Sequence, residues 1–467
     1  MLIDFIISSI IQELPFQPNS EQKELVEKIA AFILSREEKR VFLLRGYAGT
    51  GKTSIMAALV KALNRLQQKT VLLAPTGRAA KVLAQHAGKS AYTIHKYIYR
   101  QKQIGKDSFS LSFNTQHDTI FIVDEASMIA NQSVDNSSFG SGRLLDDLLK
   151  YVFLSERCSL ILIGDDAQLP PVGQAVSPAL HEDYLRGYGL KITTHTLTIV
   201  ARQALESGIL SNATYLRDCI RSEQTNIYPQ IKNEHFSDIK FLSGNSLIEE
   251  LERSYSQVGQ EETIIITRSN RAMNMYNQGV RTQIMWKEDE LSSGDRVMVT
   301  KNNYYATRLY EGIDFLANGD MFEVQRVRHP HQLYGFNFAD VSLKAIDYDW
   351  EIDTIALINS LYSETPEAGY LLTKQLFENI SKDYPQIKNQ KELTKQVLEN
   401  PYYNALHIKH AYAVTCHKAQ GGQWKNVFID QGKITEDMLS TDYYRWLYTA
   451  LTRATEKVFL VNFSPNK

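Results

Sequence analysis

Cysteine is scarce in this sequence, which limits the metal sites and disulfides that it could form. The 467 residues include three cysteines, Cys158, Cys219 and Cys416. Their wide separation offers no metal-ligand spacing and no disulfide framework. The sequence therefore favours a protein of a reducing, cytoplasmic compartment.

Long apolar runs and an excess of one charge are also missing. No window holds the roughly 18 uninterrupted apolar residues of a membrane span, so we expect no membrane partner. The 51 basic and 53 acidic side chains leave a formal net charge of -2. This balance argues against a generally basic nucleic-acid binder. It does not exclude a local positive groove, because only the charge along a bound strand contributes to phosphate contacts.

The first half of the chain alternates short apolar segments with helical ones. The segments that predict buried strands are 41–44, 70–74, 119–123 and 159–163. Such alternation is typical of a parallel, doubly wound sheet. Polar residues follow three of these strands, at Arg45, Asp124 and Asp165. Because the carboxyl ends of parallel strands form the ligand crevice of such sheets, one shared site is expected there.

A second α/β unit is predicted further along the chain. It starts with the apolar segment 263–267, resumes at 427–429 and ends at 458–461. Between these segments, 295–353 alternates in the manner of β-strands, and 365–400 is polar and helical in pattern. The second unit is therefore expected to contain an insertion.

Residues 46–53 match the motif G-x-x-x-x-G-K-[ST] at every fixed position, between a predicted strand and a predicted helix. Glycines let backbone N–H groups surround phosphate, and the helix N-terminus adds partial positive charge. Lys52 would reach the β- and γ-phosphates of ATP, and the Thr53 hydroxyl would bind Mg²⁺. Tyr47 occupies a position where a small residue is more usual. The predicted nucleotide-binding residues here are Gly46, Tyr47, Ala48, Gly49, Thr50, Gly51, Lys52, Thr53 and Ser54.

Two adjacent acids follow the third strand. Asp124 would hold Mg²⁺, directly or through water, and Glu125 would orient and deprotonate the attacking water. Acids at a strand end are often merely solvated, but the preceding phosphate loop favours the ligand interpretation. Together these motifs predict a nucleoside triphosphatase, without saying what its hydrolysis drives.

Further short motifs follow in a fixed order along the chain. They occupy residues 74–81, 93–96, 124–128, 164–173, 201–203, 413–421 and 448–454. In this order they closely resemble the motifs of superfamily one helicases, nearest to the RecD-like, Dda-like and PIF enzymes. The resemblance extends from about residue 14 to 462.

The resemblance implies two RecA-like motor domains, each an α/β fold with a doubly wound parallel sheet, carrying small inserted β domains. The first is expected at 1–197, with an insertion at about 98–118. The second is expected at 198–320 and again at 406–467. Residues 321–405 between them would form an SH3-like β-barrel with a helical segment of unassigned role.

The resemblance also assigns residues to ATP hydrolysis. Gln22 would read adenine, and Gln168 would sense the γ-phosphate. Arg202 and Arg453 would neutralise the transferring phosphoryl group, because a guanidinium stays charged and binds phosphate oxygens bidentately. The catalytic set is therefore Lys52, Glu125, Gln168, Arg202 and Arg453. Closure of the two domains on ATP would assemble this site.

A third set of residues is expected near a bound strand, holding phosphates without reading sequence. It comprises Pro75, Thr76, Arg78, Thr93, His95, Lys96, Thr415, His417, Lys418 and Gln420. In relatives the insertion after residue 96 forms a duplex-splitting hairpin, and its aromatic residues here are Tyr97, Tyr99, Phe109 and Phe113. One of them either caps the last base pair or only packs within the insertion.

The resemblance implies an ATP- and Mg²⁺-dependent DNA helicase that moves 5′ to 3′ on single-stranded DNA and unwinds duplex junctions. We expect a monomer, associated with the nucleoid if the organism is bacterial, with replication, recombination or repair proteins as candidate partners. Two alternatives stay open: an RNA or RNA–DNA hybrid helicase, since no identified residue senses the 2′-hydroxyl, and an ATP-dependent binding subunit that does not unwind.

Overall fold

The computed structural model describes residues 2–101, 109–132, 139–200, 206–310, 313 and 315–463. Within these ranges the helices are α1 (Leu2–Gln12), α2 (Ser20–Leu34), α3 (Lys52–Arg65), α4 (Gly77–Ala87), α5 (Ile94–Ile98), α6 (Leu144–Phe153), α7 (Glu182–Arg186), α8 (Gly208–Arg221), α9 (Leu247–Val258), α10 (Asn270–Gly279), α11 (Pro366–Ser381), α12 (Gln390–Glu399), α13 (Cys416–Ala419) and α14 (Thr441–Leu451).

The strands divide into two parallel sheets, a barrel and a hairpin. They are β1 (Arg40–Gly46), β2 (Lys69–Ala74), β3 (Ala91–Thr93), β4 (Tyr99–Gln101), β5 (Phe109–Leu111), β6 (Thr119–Val123), β7 (Ser159–Gly164), β8 (Lys191–Leu197), β9 (Ile239–Leu242), β10 (Thr263–Thr267), β11 (Arg296–Val299), β12 (Met321–Leu333), β13 (Phe336–Ala345), β14 (Glu351–Leu357), β15 (Leu406–His410), β16 (Ala413–Thr415), β17 (Trp424–Asp430) and β18 (Ala454–Val461).

The first sheet has the strand order β3-β2-β6-β7-β1-β8, and all its pairings are parallel. Successive residues of β1 enter opposite cores: Val41 and Leu43 pack into one cluster, and Phe42 and Leu44 into another. Because both faces are covered, the strands are almost continuously apolar. The structure confirms the four strands predicted from the apolar segments.

The second sheet has the order β16-β10-β17-β18-β9 and is also parallel throughout. On β10, Ile264 and Ile266 face one core cluster and Ile265 faces the other. The chain leaves this sheet after β10 and returns at β16. This confirms the predicted α/β architecture of two RecA-like units, the second interrupted by an insertion.

The insertion contains a closed barrel of β11, β12, β13, β14 and β15. Its pairings are antiparallel except that of β14 with β15. The barrel extends beyond the predicted segment 321–405 at both ends. The reason is that β11 and β15 pair with each other in the barrel wall, although neither lies in that segment.

The polar segment after β14 is helical, as its pattern predicts. Helices α11 and α12 pack on the outside of the barrel through Leu376, Ile380 and Val397, which are buried together with Phe338 of β13. The two helices therefore cover one side of the barrel, and their polar faces remain in contact with solvent.

The predicted insertion in the first unit forms the two-stranded hairpin β4–β5, whose connecting residues 102–108 lie outside the described ranges. Phe109 is buried and lies within 6 Å of the ring centres of Phe139, Tyr304 and Phe315. Phe113 just after the hairpin is 90% exposed. The structure thus distinguishes Phe109, which packs in the interior, from Phe113, which is exposed.

Among the described residues, no helix is both long and apolar enough to cross a bilayer.

Candidate nucleotide and nucleic-acid sites

The phosphate loop connects β1 to α3 and adopts backbone conformations that favour glycine. Gly49 has φ of 76° and Gly51 has φ of 86°, both in the left-handed region. Gly51 occupies the N-cap of α3, and a Cβ there would lie 2.9 Å from the side-chain nitrogen of Gln22. The loop therefore leads directly into the N-terminus of α3, whose unpaired N–H groups and partial positive charge suit an anion.

Lys52 is folded back onto its own loop. Its ammonium group donates to the carbonyl of Gly46 and to the carbonyl of Tyr47, the latter at 2.8 Å. These carbonyls hold the charged group over the loop. A bound polyphosphate would replace them as the partner, because it offers charged oxygens instead of neutral ones.

Gln22 is buried and connects the N-terminus of α2 to the phosphate loop. Its side-chain nitrogen donates to the carbonyl of Thr50 at 2.9 Å, and its oxygen accepts from the N–H of Asn19 at 3.0 Å. Asn19 in turn caps α2. The residue predicted to read adenine thus stands beside the loop, held by a capping box.

Asp124 and Glu125 directly follow β6. Burial, together with the adjacent Glu125 carboxylate, raises the pKa of Asp124 to about 6. Glu125 has φ of 52°, a conformation that is costly for a residue with a side chain. A pair of crowded carboxylates is the kind of site that a hard divalent cation stabilises. The donor set therefore fits Mg²⁺ held by Asp124 and the nearby Thr53.

The loop after β7 makes direct contact with α14 of the second unit. The Tyr448 hydroxyl donates to Asp165 at 2.6 Å and accepts from the N–H of Ala48 in the phosphate loop at 2.9 Å. Burial raises the pKa of both Asp165 and Tyr448. A single phenol therefore joins the phosphate loop and the loop after β7 to α14 of the second unit.

Two further hydrogen bonds attach the same loop to the second unit. The N–H of Leu169 donates to Thr449 at 2.9 Å, and its carbonyl accepts from Gln420 at 2.7 Å. Gln168, the predicted γ-phosphate sensor, lies directly before Leu169. Its side-chain oxygen is buried without a hydrogen-bond partner. The predicted sensor is thus positioned next to an anchored residue, and its amide oxygen remains available.

Arg453 comes from the second unit and reaches the acidic pair. Its guanidinium lies 3.7 Å from a carboxylate oxygen of Glu125 and donates to the carbonyl of Thr449 at 3.0 Å. It is 4% exposed. Arg202, the other predicted arginine, lies outside the described residues.

These groups enclose one cavity of about 410 Å³ between the two sheets. It is lined on one side by the phosphate loop, by Ser54 and by the acidic pair, and on the other by residues of β18 and its preceding turn, including Arg453. The structure therefore brings together Lys52, Thr53, Asp124, Glu125 and Gln168 from the first unit with a cation from the second.

The residues predicted along a nucleic-acid strand are placed in different ways. Thr76 and Thr93 cap α4 and α5 by accepting the N–H groups of Ala79 and Lys96, both at 3.2 Å. Pro75 precedes Thr76 at the end of β2. The two caps place both helix N-termini at the same edge of the first sheet, since β2 and β3 are neighbours.

Basic residues at this edge are covered by the barrel. Lys96 lies 3.8 Å from the Asp320 carboxylate and 4.6 Å from the ring centre of Tyr348. Arg78 lies 3.8 Å from Asp347 and 4.3 Å from the ring centre of Trp424. Two barrel carboxylates are therefore paired with cationic side chains that the sequence analysis predicted to contact phosphates.

The remaining predicted strand contacts divide between surface and interior. Thr415 is half-buried at the N-cap of α13, and His417 and Lys418 are exposed on that helix. Burial lowers the pKa of His95 to about 4, so this residue is neutral near pH 7. Gln420 is 5% exposed and bound to Leu169, and the structure does not bring it to the surface with the others.

Sequence reasoning missed the residues that connect the two units. Tyr448 and Thr449 lie within a recognised motif, but nothing in their local pattern indicated which atoms they would contact. Asp320, Asp347 and Tyr348 of the barrel lie in no motif. Their partners are more than 200 residues away along the chain, so no local signal could have identified them.

Comparisons with known proteins match both units. Residues 17–230 match the family described as AAA domain, and residues 410–461 match the UvrD-like helicase C-terminal domain. The ATP-dependent RecD2 DNA helicase of Deinococcus radiodurans is 24% identical over 95% of this chain and 50% of its own length. An uncharacterised protein of Acanthamoeba polyphaga mimivirus is 22% identical over 94% of this chain and 99% of its own. The chain thus spans about half of the former relative and nearly all of the latter.

A solved structure is similar over nearly the whole chain. The Pif1 helicase from Bacteroides in complex with ADP-AlF3 and single-stranded DNA covers 95% of this chain and 92% of its own. The identity is 17%, and the TM-score is 0.47.

Proposed function

This chain belongs to the superfamily one helicases of the RecD, Dda and PIF type and hydrolyses ATP, and from that premise we propose that it moves 5′ to 3′ along single-stranded DNA and unwinds duplex DNA. The observation that carries the proposal is the cavity between the two sheets. It combines a phosphate loop from one unit with Arg453 from the other. ATP bound there would contact both units at once, so hydrolysis would change how they are held together.

The chemistry follows from the residues that line the cavity. Lys52 would transfer from loop carbonyls to the phosphates. Glu125 would accept the proton of the attacking water, and Gln168 would sense the γ-phosphate through its side-chain amide. Arg453 would stabilise the charge of the transferring group, a role that is typically worth 10³ to 10⁵ in rate. Mg²⁺ held by Thr53 and Asp124 would neutralise phosphate charge when bound.

Coupling to the strand is supported by the position of Gln420. Its amide donates to the carbonyl of Leu169, next to the predicted phosphate sensor Gln168. Gln420 also directly follows α13, which carries His417. The loop after β7 that contains Gln168 and Leu169 is called the sensor loop. If it moved on hydrolysis, the hydrogen bond between Leu169 and Gln420 would transmit the movement to α13. We propose that α13, α4 and α5 contact the DNA backbone.

The test is strand displacement on two duplexes that differ only in carrying a 5′ or a 3′ single-stranded tail, with ATP and Mg²⁺. We expect unwinding of the 5′-tailed duplex alone. Lys52→Ala should abolish both unwinding and ATP hydrolysis, because it removes the charge that contacts the phosphates.

Other outcomes would revise the proposal in defined ways. Unwinding of the 3′-tailed duplex would preserve the motor but reverse its direction. ATP hydrolysis without unwinding of either duplex would contradict the DNA helicase proposal. The same pair of tails made of RNA would then decide between an RNA helicase and a subunit that binds without unwinding.

A further inference from the structure

A second cavity lies beside the nucleotide cavity and is rich in arginine. It has a volume of about 270 Å³, and Arg45, Arg217, Arg221 and Arg445 line it. We call it the arginine pocket. Arg45 comes from β1, Arg217 and Arg221 from α8, and Arg445 from α14. Guanidinium groups from both units thus converge on one space, large enough for a tetrahedral oxyanion.

Three of the four guanidinium groups of this pocket have few protein partners; the exception is Arg217, which forms an ion pair with Asp218 at 2.7 Å. Among the residues that the structure describes, neither Arg45 nor Arg221 forms an ion pair. Arg445 donates to the carbonyl of Ala175 at 2.7 Å. The Nε atoms of Arg45 and Arg445 are buried and lack a hydrogen-bond acceptor. Buried cationic donors without acceptors are unfavourable, and an anion would supply what they lack.

The carboxylates that also line the pocket do not fill this role. Asp165 accepts from the Tyr448 hydroxyl at 2.6 Å and from the N–H of Ala167 at 3.0 Å. Asp166 is exposed to solvent. Arg217 is already paired with Asp218. In the part of the chain that the structure describes, three guanidinium groups without an ion-pair partner, those of Arg45, Arg221 and Arg445, therefore remain in a pocket whose two carboxylates are hydrogen-bonded or solvated. The pocket remains positive and suits a doubly charged anion.

The arginine pocket and the nucleotide cavity share part of their walls. Tyr47, Asp165 and Gln168 line both spaces. Gln168 is the predicted γ-phosphate sensor, so the second space shares a wall with the predicted site of cleavage. Tyr47 is the bulky residue of the phosphate loop that the sequence left unexplained. Its ring lies 4.7 Å from the Arg217 guanidinium, which holds it at the boundary between the two cavities.

We propose that the arginine pocket binds the inorganic phosphate released by ATP hydrolysis, which reaches it from the nucleotide cavity past Tyr47. The inference rests on ATP hydrolysis in the neighbouring cavity and does not depend on the direction of movement. Tyr47 lies between the two spaces, and Arg45, Arg221 and Arg445 supply the donors that a phosphate dianion requires. The pocket thereby gives the cleaved phosphate a site distinct from the one it occupied in ATP.

The first measurement is equilibrium binding of radiolabelled inorganic phosphate to the full chain. The nucleotide cavity is filled beforehand with Mg²⁺, ADP and beryllium fluoride, so that the γ-phosphate position is occupied. We expect one phosphate to bind. Arg45→Gln and Arg221→Gln should each weaken its affinity about tenfold, because each removes a charge-assisted contact. Arg221 is exposed, so its substitution keeps the test valid if Arg45→Gln does not fold.

The matched control is Arg36→Gln, an exposed arginine of the same unit outside the pocket, which should bind phosphate as the unaltered chain does. A filled nucleotide cavity that abolishes phosphate binding would overturn the proposal, and so would equal affinity in both pocket variants and the control. ATP hydrolysis is measured on the same samples, so a loss of activity and a loss of the pocket are distinguished.

A second measurement tests whether the phosphate comes from the reaction. In a single turnover of ATP labelled at the γ-phosphate, rapid filtration should retain labelled phosphate on the unaltered chain. The chain carrying Arg221→Gln should retain at least threefold less. If free phosphate binds but cleaved phosphate is not retained, the pocket takes its anion from solution, and its role in product release is overturned.

Discussion

At the scale of single residues, the Tyr448 hydroxyl connects the two units through two hydrogen bonds. We expect Tyr448→Phe to lower kcat for DNA-stimulated ATP hydrolysis about tenfold, which corresponds to about 1.4 kcal/mol. The physical reason is that the buried Asp165 carboxylate loses a donor at 2.6 Å, and the Ala48 N–H loses its acceptor. Leaving a buried polar group without its hydrogen-bond partner costs about 1 to 3 kcal/mol. The KM for ATP should stay within about twofold of that of the unaltered chain, because Tyr448 does not contact Gln22, the predicted adenine partner.

The control for this prediction is another tyrosine of α14. Tyr443 donates to the side chain of Gln431 at 2.6 Å, away from the nucleotide cavity. Tyr443→Phe removes a comparable hydrogen bond and should leave kcat nearly unchanged. Equal losses in the two variants would mean that helix packing, and not contact with the phosphate loop, explains the effect.

Two buried histidines predict how stability depends on pH. Burial lowers the pKa of His407 to about 3 and that of His410 to about 4, and both lie on β15 of the barrel. An unfolded histidine has a pKa of about 6.5. As the pH falls below that value, the unfolded chain binds protons that the folded chain does not. Stability is therefore lost by up to about 1.4 kcal/mol per pH unit for each histidine.

This pH effect can be measured as the thermal unfolding midpoint between about pH 7 and pH 5 at constant ionic strength. His407→Asn should reduce the slope of the midpoint against pH, whatever it does to the midpoint itself. His86→Asn, on the exposed face of α4, should leave the slope unchanged. An unaltered slope in His407→Asn would show that this histidine is not the source.

At the scale of elements, the hairpin β4–β5 and the residues just after it carry two aromatic side chains with different environments, Phe109 and Phe113. Phe109 packs with Phe139, Tyr304 and Phe315, and its truncation should destabilise the protein by about 3 to 5 kcal/mol. Phe113 is 90% exposed. If it caps a base pair, Phe113→Ala should reduce unwinding several-fold and leave stability and strand-stimulated ATP hydrolysis unchanged. Strand displacement and ATPase assays on the same samples decide this, and equal effects on both activities would exclude a wedge.

The sequence left open whether these aromatics cap DNA or only pack. For Phe109 the structure favours packing, because its ring is enclosed by residues from three distant segments. A hairpin is local, but what covers it depends on where the fold brings the segments around residues 139, 304 and 315. No local pattern contains that information.

At the scale of the whole molecule, the barrel lies against the edge of the first sheet where DNA contacts are predicted. Asp347 lies 3.8 Å from both Arg78 and Lys81. We expect Asp347→Asn to tighten binding of single-stranded DNA several-fold at low salt, because two cations no longer have a carboxylate competing with phosphate. Its affinity should also fall more steeply with salt.

The neighbouring Asp349 provides the control for this prediction. It lies on the same loop and is exposed, so Asp349→Asn changes the net charge equally without altering the contact. Fluorescence anisotropy of a labelled strand across a salt series compares the variants. Equal effects of the two substitutions would mean that overall charge, and not release of Arg78 and Lys81, determines the change.

Much of the architecture was predictable because it depends on local patterns. Apolar segments such as 119–123 identified strands of both parallel sheets, since buried strands need apolar side chains on both faces. The strand, glycine-containing loop and helix around residues 46–53 were predictable because the motif consists of consecutive residues. The barrel was located only in part, because β11 and β15 gain their pairing from each other across more than 100 residues.

The sequence by itself determined the local chemistry: the glycines and lysine of the phosphate loop, the acidic pair after β6 and the order of the helicase motifs. The tertiary structure alone decided which of these groups meet. It joined Tyr448 to Ala48, buried Gln420 against the sensor loop, covered Arg78 and Lys96 with barrel carboxylates and gathered four arginines in a pocket that Gln168 also lines. The physical reason is that backbone conformation and burial depend on neighbouring residues, whereas contacts between units depend on how separately folded sheets pack against each other.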